Sequence, residues 1–329
     1  MDDDILLKVK PRRRLWFLPS FGAFGGKRRV FRGLAIAILA VLILYYPIGA
    51  LLVHEIDDDP SFAPADVQPN ASRAVAVAAA LIDREVRQHA WPANDPWFFP
   101  GVILDNMPNY QQGIIQALRR FALEMTDQIG RARGSSQADP DLERARSLLN
   151  YSSDVWVWDF NVSIWPTAPS DQQYVAARDA LLSYNRRLAA GTAVFDRRAD
   201  NLLATLDRIA KDLGSASAAL ESRVEEHSDD WVDFEADNRF YRTKGELYGY
   251  ALLLRELGKD FEPVIRERGI QKVWGEMLGN LLVAALLQPW VVVNGAPDSQ
   301  LLPSHLAAQG FFLLRARSQI FEIGDVLLK

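Results

Sequence analysis

The run Gly33–Val53, GLAIAILAVLILYYPIGALLV, holds 21 residues without one charge. As an α-helix it rises about 30 Å, the thickness of the hydrocarbon core of a bilayer. No other feature constrains the chain so tightly, because it divides the remaining residues between two faces of a membrane. Its flanks predict the orientation. Lys8, Lys10, Arg12, Arg13, Arg14, Lys27, Arg28, Arg29 and Arg32 precede it against three acids, Asp2, Asp3 and Asp4, whereas Glu55, Asp57, Asp58 and Asp59 follow. Cationic flanks stay cytoplasmic, so the N-terminus is expected inside and the C-terminal domain outside. A cleaved signal peptide would have a shorter apolar core and a small-residue cleavage site. Leu51-Leu52-Val53-His54 offers no such site, so the expectation is a permanent anchor. The organisation that follows is a basic tail (1–32), a span (33–53), a linker (54–70) and an outer domain (71–329).

Charge sharpens that division. The chain has 37 Lys and Arg against 42 Asp and Glu. Removing the nine bases and three acids of the tail leaves 28 against 39, so the rest carries a net charge of −11. Such a domain has no electrostatic reason to bind nucleic acid or an anionic lipid surface. The absence of cysteine excludes disulfides, thiolate metal sites and cysteine nucleophiles. About 270 residues suffice for a sizeable core.

Helical periodicity dominates the outer domain and predicts an all-α fold. Ser72 is placed to cap a helix with Val75, Ala79, Ile82 and Val86 on one face. Pro108 reads as the first residue of a second helix, and Asp139-Pro140 opens a short one to about Leu149. Ser170-Asp-Gln-Gln173 has the capping-box pattern ahead of a long run, from Tyr174 to Leu220, with apolar residues at alternating threes and fours. A wide apolar stripe of this kind suits the core of a bundle with long antiparallel helices, and an oligomeric coil through 174–220 is the competing expectation. Gly191 and Gly214 mark places for the rod to fold back. Met277–Pro297 is also uncharged, but its basic flank lies on the wrong side for a returning span, so a buried core helix is expected. Leu306, Leu313, Ile320 and Leu327 line the last helix at heptad intervals. Val155–Trp158 and Val291–Val293 are the few strand signals, too few for a sheet.

Catalytic signatures are nearly absent: His54, His89, His227 and His305 are scattered, and no H-E-x-x-H or G-x-S-x-G occurs. His89 and His305 read as cap-region or surface residues. Asp233-x-Glu235-x-Asp237 has the acid spacing of a calcium loop, but Asn238 stands where glycine is needed and Lys244 where the bidentate Glu belongs. No metal or cofactor is expected. Two aromatic stretches stand out, Trp91–Gly101 running on to Leu104–Asn109, and Trp156–Trp165. Their candidate binding residues are Trp91, Asn94, Asp95, Trp97, Asp105, Asn106, Trp156, Trp158, Asp159 and Trp165. Aromatic faces beside Asn and Asp stack on and hydrogen-bond sugars such as peptidoglycan, or anchor a partner protein. The plainer alternative is aromatics packed over the bundle ends. Asp95 and Asp105 are the carboxylates to test as an acid/base pair.

Trp91-Pro-Ala-Asn-Asp95, Leu104-Asp-Asn-Met-Pro-Asn109 and the closing Asn294-Gly…Pro303-x-His-Leu…Leu-Leu-Arg-Ala-Arg317 resemble a family of bacterial inner-membrane proteins catalogued as a domain of unknown function, DUF2333. The likeness runs from about Ala71 onward. It implies one N-terminal span and a helical envelope domain, with no catalytic residues to transfer. Arg239, Arg242, Arg315 and Arg317 in this region are expected to answer the acidic excess through internal ion pairs. The functional expectation is an inner-membrane envelope scaffold or interaction protein with an envelope protein partner, more a binder than an enzyme. The alternative is a cell-wall glycan binder or hydrolase using the Trp-rich loops with Asp95, Asp105 or Asp159.

Overall fold

A computed structural model of the protein describes residues 23–131, 138–160, 163–227, 233–295 and 303–329. The basic tail before residue 23, residues 132–137, and Asn161 and Val162 of the second aromatic stretch lie outside the described residues. The described residues form ten α-helices: α1 Ala23–Val53, α2 Arg73–Asp83, α3 Asn106–Glu124, α4 Pro140–Leu149, α5 Ser170–Ala189, α6 Ala199–His227, α7 Phe234–Asp260, α8 Glu262–Glu267, α9 Gln271–Ala285 and α10 His305–Leu327. One isolated antiparallel bridge, Asn294 to Ser304, is the sole extended pairing among them. The fold is all-α, as the periodicity predicts.

Helix α7 is the axis of the domain. α3 lies along it, and α2, α6, α9 and α10 pack around it, while α5 closes the far side of α2 and pairs with α4. The approach of α3 to α7 depends on glycine. A Cβ on Gly113 would come closer than 3.0 Å to the Arg242 carbonyl oxygen, and one on Gly245 would do the same to Tyr110. Only residues without a side chain let the two backbones meet in this way.

Helix α2 is apolar nearly all round, with Ala74–Ala79, Leu81 and Ile82 buried. It begins as expected, the Ser72 hydroxyl accepting from the Val75 N–H (3.1 Å). Asp260, at the end of α7, reinforces that start by accepting from the Ser72 hydroxyl (2.6 Å) and from the N–H groups of Arg73 and Ala74. A carboxylate there satisfies amides that the helix itself leaves unpaired.

The 174–220 run is two helices. Gly191, with φ +73°, turns the chain, whereas Gly214 stays within α6 against Arg317. Tyr174, Leu181, Leu206 and Leu213 are buried in the domain's own core, as the bundle reading requires. Ser170 departs from the capping-box reading. Pro169 is the N-cap, and the Ser170 hydroxyl donates to the Ser152 carbonyl (2.7 Å) and accepts from the Val155 N–H. α3 likewise starts earlier than Pro108 suggests, with Asp105 as its cap. α9 spans 15 residues and buries Trp274, Met277, Leu281, Ala284 and Ala285, so the second uncharged segment supplies a core helix. Among the described residues α1 is the one helix long and apolar enough to cross a membrane.

A polar cluster lies at the edge of this core. Arg120 grips Asp212 with two hydrogen bonds (2.6 and 2.7 Å), and the Tyr250 hydroxyl donates to the same carboxylate. Beside them Glu246 is buried with an unpartnered oxygen, and burial next to Asp212 pushes its carboxyl up to about 8. An acid raised in the folded state stabilises most below its unfolded value and loses that stabilisation as pH climbs to the folded one. Stability should therefore fall between about pH 4.5 and 8, and Glu246→Gln should flatten that part of a denaturant-unfolding pH series. An unchanged slope would show that Glu246 is ionised in the fold.

Candidate functional site

The two aromatic stretches meet. The rings of Phe98 and Trp156 are edge to face with centroids 5.5 Å apart. Pro92, Pro96 and Pro100 prevent a long helix, so the first stretch folds as two short 3-10 turns, Pro92–Asn94 and Pro100–Ile103. Gly101 makes the compact turn possible, since a Cβ there would overlap the Asp95 carboxylate.

The candidate residues divide into buried supports and exposed tips. Trp91 is buried, donating its indole N–H to the Ser153 carbonyl (3.0 Å) and meeting Tyr174 edge to face. The buried Asn94 amide donates to the Val155 carbonyl and to Asp171 (3.1 and 3.2 Å). These two residues fasten the stretches together. Trp97 (77% exposed), Trp158 and Trp165 (72%) face outward, joined by Phe98, Phe99, Val102, Ile103, Phe160 and Ile164. The bundle-end packing expected of the aromatics therefore holds for Trp91 and fails for the tips. Asp159 is partly buried between Trp158 and Phe160.

Asp95 and Asp105 are not brought to one site. Asp95 lines a cleft of about 300 Å³ with His89, Trp156 and Asp171, and burial raises its carboxyl above the usual range. Asp105 caps α3, accepting from the Asn106 N–H (2.9 Å), and lines a separate cavity beside the end of α1 with Pro47 and Ile103. Asp237 faces Asp105, and burial together with that like charge pushes its carboxyl up to about 6. In place of a calcium loop, Asp233 caps α7 through the Ala236 N–H. No group of three or more metal-ligating side chains occurs among the described residues.

The neighbour of this surface is α1. The Tyr45 hydroxyl donates to the Phe98 carbonyl (3.1 Å) and the Tyr46 hydroxyl to the Trp97 carbonyl (2.7 Å). Gly49 lets Pro100 lie directly on the helix. Beyond Val53 the chain is strapped to the domain. The Asp57 carbonyl accepts from Tyr110 (2.7 Å) and Arg84 (2.9 Å), and the Asp59 carbonyl from Tyr248 (2.7 Å). The Asp58 carboxylate pairs with the buried Lys244 (2.7 Å), and Arg255 holds the carbonyls of Pro60 and Phe62. Far from a free spacer, the linker is a clasp along α7.

Arg84 is its anchor. It is 2% exposed in a widened π-helical turn, Arg84–Gln88, that continues α2. Its guanidinium pairs with Glu85 (2.7 Å) and Asp57 (3.1 Å) and stacks over Phe62, 4.4 Å from the ring centroid. His89 is no surface residue. It is nearly buried between Glu85 (3.7 Å) and Glu55 (3.5 Å), and the Glu85 carboxylate holds its imidazole above the usual histidine range.

The family model for uncharacterised proteins conserved in bacteria, DUF2333, matches residues 67–328. The chain belongs to that family. No curated protein and no solved structure matches it. The matched stretch of this DUF2333 chain contains every residue that grips the linker, while the gripped residues 55–62 and α1 precede it. The arginines expected to form internal ion pairs behave unevenly. Arg239 pairs with Glu235 (3.0 Å), whereas Arg242 donates to the Gln112 amide oxygen and Arg317 to the Ala210 carbonyl.

Proposed function

We propose that this is a single-span protein of the bacterial inner membrane, N-terminus cytoplasmic, whose periplasmic helical domain acts by binding as an envelope scaffold. One observation carries the reading, the clasp that joins α1 to the domain through Arg84, Lys244, Tyr248 and Arg255. A loose tether lets a domain sweep a volume, as suits an enzyme on dispersed substrate. A clasped domain holds its faces at one height and angle above the bilayer, as a platform for other proteins requires. The test combines an alkaline phosphatase fusion after Lys329 with photo-crosslinking residues at the exposed positions Leu182, Val283 and Phe311 in living cells. Active phosphatase and discrete protein adducts are expected. Inactive phosphatase overturns the topology, and an absence of protein adducts from all three positions overturns the platform.

A glycan binder or hydrolase is the second reading, favoured by the cleft that sets Asp95 and His89 beside Trp156. Its volume is at the small end of ligand sites, about right for one sugar ring. If it holds glycan, detergent-solubilised full-length protein retains muropeptide strands, and Asp95→Asn or Trp156→Ala abolishes the retention. Retention that survives both substitutions, or none in the parent protein, eliminates the cleft.

A further inference from the structure

We infer that the exposed aromatic loops enter the outer leaflet of the bilayer that α1 crosses, so that the domain is held by a second, lipid-immersed foot. The inference rests on the reading of α1 as a span. Depth is the first argument. Pro100 lies on Gly49, and the Phe98 carbonyl is held by Tyr45. These helix positions lie four and eight residues below Val53, about 6 and 12 Å along the axis. The outer half of the hydrocarbon core is about 15 Å deep, so a loop fastened there cannot stand clear of it.

Composition fits that depth. The nine residues Pro96–Leu104 carry no charge and are bracketed by Asp95 and Asp105. Trp97, Phe98, Phe99, Val102 and Ile103 are all exposed on this loop. Apolar side chains of that size on an exposed turn are costly in water and favourable in lipid. The second loop carries no charge from Phe160 to Ser170, exposes Trp165, and meets the first loop where Trp156 packs on Phe98. Tryptophan is the residue most at home where hydrocarbon meets headgroups.

Backbone pairing is the third argument. Hydrocarbon offers no partner to a free carbonyl, so irregular backbone at membrane depth must be satisfied by protein. Tyr45 and Tyr46 sit well inside the apolar run, below the level of an interfacial belt. Their hydroxyls are spent on the loop carbonyls of Phe98 and Trp97, a use that explains two tyrosines at that depth.

The natural absence of cysteine makes the test direct. Full-length single-cysteine variants at Trp97, Ile103 and Trp165 carry a nitroxide in phosphatidylethanolamine–phosphatidylglycerol vesicles. Leu39 in the middle of α1 and Arg266 on α8 are the references. Collision rates with oxygen, which partitions into lipid, and with a water-soluble nickel chelate are compared. The oxygen-to-nickel ratio at 97, 103 and 165 is expected to exceed that at 266 several-fold and approach that at 39. Ratios matching 266, with 39 still lipid-like, overturn the foot and leave the span intact. Protection from both reagents means a protein covers the patch and also overturns it. A water-like ratio at 39 removes the span itself.

Discussion

Arg84→Met should destabilise the domain by about 3–5 kcal/mol, the cost of removing one partner from a buried ion pair. The side chain of Glu85 is fully buried, and one of its oxygens already lacks a hydrogen bond. Without the guanidinium it keeps only the more distant His89. The same substitution takes a donor from the Asp57 carbonyl and a cation from above Phe62. The clasp should loosen around Asp57 and Phe62, making residues 55–62 more open to protease although Tyr110, Lys244, Tyr248 and Arg255 keep their contacts. Adding Glu85→Gln removes the stranded charge, so the double variant should recover much of the stability but not the protease resistance. Denaturant unfolding and limited proteolysis of the detergent-solubilised protein read the two effects separately. A single variant as stable as the parent would mean that Arg84 is not paired as described.

Gly245→Ala should cost about 3 kcal/mol or more, the upper end for overpacking a core. The new methyl meets the Tyr110 backbone, which has no rotamer to yield, so α3 must be pushed from α7 along its length. Alanine's better helix propensity returns only about 1 kcal/mol. For a domain of this size the melting temperature should drop by about 6–12 °C. Gly113→Ala, meeting the Arg242 carbonyl from the other side, should behave alike. Gly275→Ala and Gly279→Ala on α9, where nothing lies within 4 Å, should hold or raise the melting temperature. Circular dichroism melts compare the four, and a Gly245→Ala variant that melts with the parent would refute the close crossing.

What the sequence made legible was local. Ser72 as a cap, Asp139-Pro140 as a helix start and the heptad apolar residues of α10 all rest on spacings within one or two turns, and each stands in the structure. Ser170 misleads because its hydroxyl has a better bargain across the fold, with the loop carrying Val155. The segment after Val53 reads as a linker, and its acids speak only to orientation. Their partners lie far along the chain, Lys244 being 186 positions from Asp58, and no periodicity announces such a pairing. His89 does cap a helical turn, Arg84–Gln88, as the sequence suggests, but its burial between Glu85 and Glu55 depends on the widened turn and the strap, which spacing does not announce. The aromatic stretches were found by composition. That Trp91 and Asn94 support while Trp97 and Trp165 project depends on which side each 3-10 turn presents.

The clasp also imposes an order of events during synthesis. Asp57, Asp58 and Asp59 leave the ribosome early, yet Lys244, Tyr248 and Arg255 follow nearly two hundred residues later. At translation speeds of 5–20 residues per second the wait is about 10–40 s. Throughout that interval α1 is complete, Arg84 and Tyr110 can already hold Asp57, and Asp58, Asp59, Pro60 and Phe62 still lack their partners on α7. The strap next to α1 therefore becomes native only once α7 arrives, and α9 and α10 follow to pack onto that helix.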